Sequence, residues 1–449
     1  MAKQRLGTGW RLRAGLRLAA AGVALCAVPA ALAQNGLVNA PQPTGSIQAR
    51  AWSGQLPVKP SQPPAFSIPV RPLGFSAPGL LSLGERKNVA SLDFLDENRL
   101  LFTFRVPGLI RREAGESDAS EERQIRAVIL ALPGGIVEAE ALWTVHDRWR
   151  YLWMLSDGRF LLRDGKNLEQ GDATLEVKPF LRFPGPLIWL EMDPAQQFMV
   201  TESREPAPDD SGEAASSPAE ETGTEAEGQA PADDSDGMVR ILRRDSGQVI
   251  LVSRSRSIVH LPINSEGYLE SLRGVGGNWR LNLSYFSGGS RILGQVSSTC
   301  SPFIDFLSER ELLVTACNSS GRDNLIAMTN DGGRLWEARA AEATVWPLVV
   351  RATNGLRLAR EVLAVSHPVS PNVQLDQGEI RGQWVQVLDA ADGAVRLQTA
   401  ASPVLDAGGN VAISPSGRRV AVLDRGAIQV FELPPPAPLP DSAVHRTGR

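Results

Sequence analysis

Read for alternation of hydrophobic and polar positions, the chain from about residue 74 to 433 breaks into short apolar runs of strand length divided by polar turns. Leu100-Leu101-Phe102-Thr103-Phe104 and Ile428-Gln429-Val430-Phe431 alternate or bury continuously, as strands do, and no stretch of useful length repeats apolar residues at helical spacing. The chain is therefore expected to be all-β. Many short strands at regular spacing mean a sandwich, a barrel or a propeller, and internal repetition decides among them.

The repeat is clearest near the C-terminal end. Asn410-Val411-Ala412-Ile413 runs into Ser414-Pro415-Ser416-Gly417-Arg418, returns through Arg419-Val420-Ala421-Val422, and is followed by Ile428-Gln429-Val430-Phe431. Proline presets the turn and glycine supplies positive φ. This unit resembles the inner strands of a blade in the WD40-like β-propeller superfamily. Six looser copies lie upstream, with turns near Asp96-Glu97-Asn98, Asp157-Gly158, Asp193-Pro194, Asn264-Ser265-Glu266-Gly267, Ser308-Glu309 and Asn354-Gly355. A second hairpin, as in Asp331-Gly332-Gly333 and Asp392-Gly393, supplies third and fourth strands. The resemblance, over residues 74 to 433, implies seven four-stranded blades in a ring. The seventh unit has three strands before its proline-rich end. Phe75 to Leu83 is expected to give the missing one, so that an N-terminal strand completes the last blade and closes the ring.

Blades of this kind usually take about 40 to 45 residues. Three units here are longer, with inserts at about Gly108 to Glu122, Arg204 to Gly237 and His367 to Gly382. Each is expected between the second and third strands of its blade, and such loops leave a propeller on one face. Within the insert at 204–237, the stretch from Glu205 to Asp236 carries acids, no base and no large apolar residue. It is expected to be a disordered loop.

The ends have a different character. Basic residues from Lys3 to Arg17 precede an apolar run closing on Ala31-Leu32-Ala33, the pattern of a signal peptide over residues 1–33 with cleavage before Gln34. Residues 34–73 are rich in Pro, Gln and Ser and read as a disordered linker, and 434–449 as a disordered proline-rich tail. The chain is thus expected to be exported, to the periplasm or beyond, with no integral membrane segment after cleavage. The formal net charge is −4; with the acids of the insert and the basic residues of the signal segment both set aside, the folded body is near neutral. No nucleic-acid surface is expected.

Cleavage removes Cys26 and leaves Cys300 and Cys317. They flank one hairpin, and pairing Phe306 with Leu313 sets them nearly opposite, so a disulfide is expected. His146, His260, His367 and His445 show no zinc-like spacing with one another or with cysteine, and no metal, cofactor or catalytic residue is assigned. His146-Asp147 beside Arg148, Trp149, Arg150 and Trp153 is read as packing between blades. No Gly-x-Ser-x-Gly elbow is present. The leading expectation is a non-catalytic, monomeric scaffold binding a protein or cell-envelope component. The rival is an enzyme of lactonase or hydrolase type with Ca²⁺ in the central channel, for which Asp93, Glu191 and Asp305 are candidate inner-strand acids.

Overall fold

A computed structural model of the protein describes residues 60–77, 90–106, 122–146, 150–205, 236–255, 260–317, 323–341, 343–346, 349–366, 379–405 and 409–439. The signal segment, the bulk of the three inserts and the end of the tail lie outside the described residues. What is described is a seven-bladed β-propeller of antiparallel sheets.

A first strand, β1 (Phe66–Pro69), precedes the ring. Blade 1 is β2 (Ala90–Phe94), β3 (Arg99–Arg105), β4 (Glu122–Ala131) and β5 (Ile136–His146). Blade 2 is β6 (Leu152–Met154), β7 (Phe160–Asp164), β8 (Asn167–Gly171) and β9 (Val177–Arg182). Blade 3 is β10 (Leu187–Met192), β11 (Phe198–Glu205), β12 (Asp236–Arg243) and β13 (Val249–Ser255). Blade 4 pairs β14 (Gly267–Arg273), β15 (Asn278–Tyr285) and β16 (Ser290–Ser297), and its innermost strand is reduced to a single bridge between Ile263 and Tyr268. Pro262, which has no N–H to donate, stands next to that bridge. Blade 5 is β17 (Phe303–Phe306), β18 (Glu311–Cys317), β19 (Asp323–Thr329) and β20 (Arg334–Arg339). In blade 6 the inner strand is split into β21 (Thr344–Val345) and β22 (Val349–Arg351), both pairing β23 (Arg357–Val365), with β24 (Ile380–Asp389) and β25 (Val395–Ala400) outside. Blade 7 is β26 (Val411–Ile413), β27 (Arg419–Asp424), β28 (Ala427–Glu432) and, on its outer edge, β1.

Each first hairpin is held by a short polar side chain folded back on its own turn. Asp96, Asp157, Asp193, Asn264, Ser308, Asn354 and Ser414 accept backbone N–H groups two to five residues on, at 2.6 to 3.2 Å. Such side chains satisfy amides that a tight turn leaves free, so they recur at the first hairpin of every blade. Gly417 takes φ +74 at its turn, a conformation that side-chained residues rarely adopt.

The core is distributed around the ring. Seven apolar clusters are found among the described residues, each shared by two consecutive blades. At the seam, Leu92, Phe94 and Phe102 of blade 1 pack with Ala421, Ile428 and Val430 of blade 7 and with Ile68 of β1. Fully burying a side chain of this size contributes about 1.5 to 3 kcal/mol. The Leu92 amide donates to Gly409 O at 2.8 Å, where a Cβ on Gly409 would come within 2.1 Å of Ala90 O.

Two expectations are corrected. The closing strand is Phe66–Pro69 and not Phe75 to Leu83; of the latter, residues 75–77 are coil and the rest lie outside the described residues. An edge strand needs only one apolar face, here Phe66 and Ile68, and tolerates Pro69, so it was concealed inside the segment read as linker. In blade 5, Phe306 pairs with Leu312 rather than Leu313. The one-residue slip leaves the cysteines close enough to bond. Cys300 and Cys317 form a disulfide with Cα atoms 5.5 Å apart. The insert edges are also trimmed, since Arg204 pairs with Gly237 and Glu205 with Asp236 at the ends of β11 and β12.

Candidate functional site

The innermost strands line the ring's centre largely with apolar residues, among which a few charged side chains stand out. Asp93 of β2, Glu191 of β10 and Asp305 of β17 line one cavity of about 290 Å³, together with Arg150 and Arg351. These are the three acids that the inner-strand positions single out in the sequence. Arg150, His260 and Arg351, which complete the arrangement, carry no local signal. Arg150 falls in a run read as inter-blade packing, and His260 has no spacing partner. What joins them is ring closure, which no sequence window contains.

Arg351 reaches from blade 6 across the channel. Its Nη1 donates to Phe306 O in blade 5 at 2.6 Å and its Nη2 to Met192 O in blade 3 at 3.2 Å. Arg150 is anchored through Nε to Leu152 O at 3.1 Å and lies 5.4 Å from the Trp153 ring. Burial raises the Asp93 carboxyl to about 6, opposed by a 2.6 Å hydrogen bond from Ser91 and by the charge of Arg150. Glu191 is pushed well above the ordinary carboxylate range, first by burial and then by the charge and hydrogen bond of Asp305; Arg351 and Arg150 pull the other way.

His260 stands beside these acids. Its ring stacks on Phe303 at 3.9 Å and meets the Trp189 edge-on at 5.0 Å. Nε2 lies 2.6 Å from Ile304 O, which can only accept, so Nε2 carries a proton and in the neutral ring Nδ1 presents a lone pair. Nδ1 in turn is 3.4 Å from Glu191 Oε2. Burial holds the imidazole below its usual pKa, against the charge of Asp305 and the Ile304 contact. Burial thus favours the neutral ring.

His146, by contrast, sits on the outer strand of blade 1 and bonds Asp164 of blade 2 at 3.0 Å, joining two blades. Asp147, Arg148 and Trp149 lie outside the described residues, as do His367 and His445. Among the described residues no helix is long and apolar enough to cross a membrane.

Fold and channel together define a seven-bladed propeller with a polar central cavity. No family model matches the chain, and no curated protein does. Solved structures similar to it include the Pyrococcus horikoshii acylaminoacyl peptidase, at 12% identity and a TM-score of 0.44 over 75% of this chain. The match spans 49% of that peptidase. An oligogalacturonate lyase in complex with manganese is similar at 12% identity and a TM-score of 0.42, over 77% of this chain and 96% of that one. The C-terminal WD40 domain of Sif2 is similar at 11% identity and a TM-score of 0.36, over 78% of this chain and 98% of that one.

Proposed function

We propose that this chain is an exported propeller scaffold that binds a protein or cell-envelope component through one face of the ring. The observation that supports this reading is topological. In blades 1, 3 and 6 the second and third strands are separated by the longest interruptions, between Arg105 and Glu122, Glu205 and Asp236, and Val365 and Ile380. In an antiparallel meander all these connections leave on the face opposite the tightly capped first hairpins. Long connections gathered on one face of a rigid ring are a common basis for recognition. The basic and apolar start of the sequence and the Cys300–Cys317 disulfide support export. The test is excision of residues 206–235, alone and with 107–121 and 367–378. The melting temperature should hold while retention on the envelope fraction falls. A large loss of melting temperature, or retention unchanged by all three excisions, overturns the reading.

A second reading, an enzyme working at the channel, is favoured by the convergence of Glu191, His260 and Asp305. It predicts hydrolysis of ester or lactone substrates that is lost in Asp305→Asn.

A further inference from the structure

The innermost segments of blades 3, 4 and 5 each send one donor atom to the same spot. A carboxylate oxygen of Glu191, a ring nitrogen of His260 and a carboxylate oxygen of Asp305 all lie within 4.8 Å of one another. We propose that these three side chains form a site for a divalent transition-metal ion of the Zn²⁺ or Mn²⁺ class, which ties the three blades together and keeps open coordination positions toward the channel cavity. The site goes beyond the scaffold reading and stands independently of it.

The first argument is orientation. A ligating imidazole needs its ring fixed and its far N–H satisfied, commonly by a backbone carbonyl. His260 meets both conditions: Phe303 and Trp189 hold the ring, and Nε2 donates to Ile304 O. Nδ1 is thereby left as the ligand atom.

The second argument is the state of the donor atoms. His260 Nδ1 and Glu191 Oε2 are closed off from water and have no hydrogen-bond partner among the described residues. Burying a polar atom without a partner is costly. A proton shared between these two atoms would draw them to about 2.7 to 2.9 Å, yet they stand 3.4 Å apart. Ligands about 2.1 Å from a tetrahedral ion sit roughly 3.4 Å from each other. The gap is the width that an ion fills.

The donor set chooses the class of ion. One imidazole with two carboxylates suits a borderline first-row ion, whereas Ca²⁺ and Mg²⁺ take oxygen ligands. The sequence directs attention to Ca²⁺ because it offers only the acids; adding His260 changes the chemistry.

The site also answers a weakness in the fold. Blade 4 has only the Ile263–Tyr268 bridge where its neighbours have a paired inner strand, and His260 lies three residues from that bridge. An ion held by Glu191 and Asp305 on either side would fasten this segment to blades 3 and 5.

The experiment uses the full chain, stripped with chelator and desalted. Titration calorimetry and thermal melts are run with Zn²⁺, Mn²⁺, Ca²⁺ and Mg²⁺. One Zn²⁺ or Mn²⁺ ion per chain should bind and raise the melting temperature by several degrees, with no comparable effect of Ca²⁺ or Mg²⁺. Glu191→Gln and Asp305→Asn should each weaken binding by about tenfold or more and remove the thermal shift. Ion-free Glu191→Gln should melt no lower than ion-free wild type, which separates lost binding from lost folding. With Co²⁺ as probe, the absorption spectrum of the wild type should change in His260→Gln. The proposal is overturned if the wild type binds neither Zn²⁺ nor Mn²⁺, if Ca²⁺ alone binds, or if the double variant Glu191→Gln/Asp305→Asn binds as tightly as wild type. Ion binding without any turnover of ester substrates would sink the channel-enzyme reading alone.

Discussion

Asp389 and Glu191 are both carboxylates enclosed by the ring, and their surroundings differ in every respect that matters. Asp389, at the end of β24, receives Arg357 through Nε at 2.9 Å and Nη2 at 2.7 Å on one oxygen, and Arg396 at 2.6 Å on the other. Arg357 is 1% exposed and also donates to Gly417 O at 2.7 Å, so this pair bonds blade 6 to blade 7. Glu191 has the like charge of Asp305 and an imidazole beside it, and an oxygen with no hydrogen-bond partner among the described residues. The first carboxylate is finished by the protein alone. The second is incomplete without something added, and that incompleteness separates a structural ion pair from a site.

The contrast can be broken most forcefully at Asp389. Asp389→Asn leaves the Arg357 guanidinium buried without a counter-charge, and removing one partner of such a pair costs about 3 to 5 kcal/mol. Denaturant unfolding should register a loss of that size. A loss below about 1 kcal/mol would mean that water or Gly417 O satisfies Arg357 without the carboxylate.

The channel should respond to pH in the opposite sense from a paired carboxylate. The folded-state value of Asp93 is about 6, above the ordinary 3.8, so between these values the folded chain holds more protons than the unfolded one. Stability contributed by this group is full below about pH 4 and is lost as pH rises through 6. The change is about 3 kcal/mol, the shift from 3.8 to about 6 taken at 1.36 kcal/mol for each pKa unit. Asp93→Asn should flatten that part of the profile in urea titrations from pH 4 to 7. An unchanged slope would remove Asp93 from the account.

The smallest effect is expected at Glu191 itself. In metal-free protein, Glu191→Gln removes a buried carboxyl that stands beside the like charge of Asp305, so the melting temperature should stay level or rise slightly. A fall comparable to that of Asp389→Asn would erase the distinction between the two regions.

Much of the ring was readable in advance because its punctuation is local. Asp157-Gly158, Asn354-Gly355 and Ser414-Pro415-Ser416-Gly417 mark hairpins through the φ angles and side-chain bonds of four or five consecutive residues. All seven first hairpins fall where these turns place them. The closing strand carries no such mark. Phe66 and Ile68 stand among prolines, and only pairing with Val430 and Ile428, far along the chain, makes them a strand. The site divides in the same way. Alternation along a strand shows which acids can face inward, as for Asp93, Glu191 and Asp305. It cannot show that His260 meets two of them, because blade order and twist create that contact.

The position of β1 has a consequence for how the molecule comes into being. A ribosome makes Phe66–Pro69 before any blade exists, and its hydrogen-bonding partner, Ala427–Glu432, is nearly the last part of the ring to be synthesised. The earliest strand must therefore wait, unpaired, for the latest. Its wait ends as the circle closes, so a chain truncated before Ala427 keeps β26 and β27 but has no strand on which to dock its own beginning.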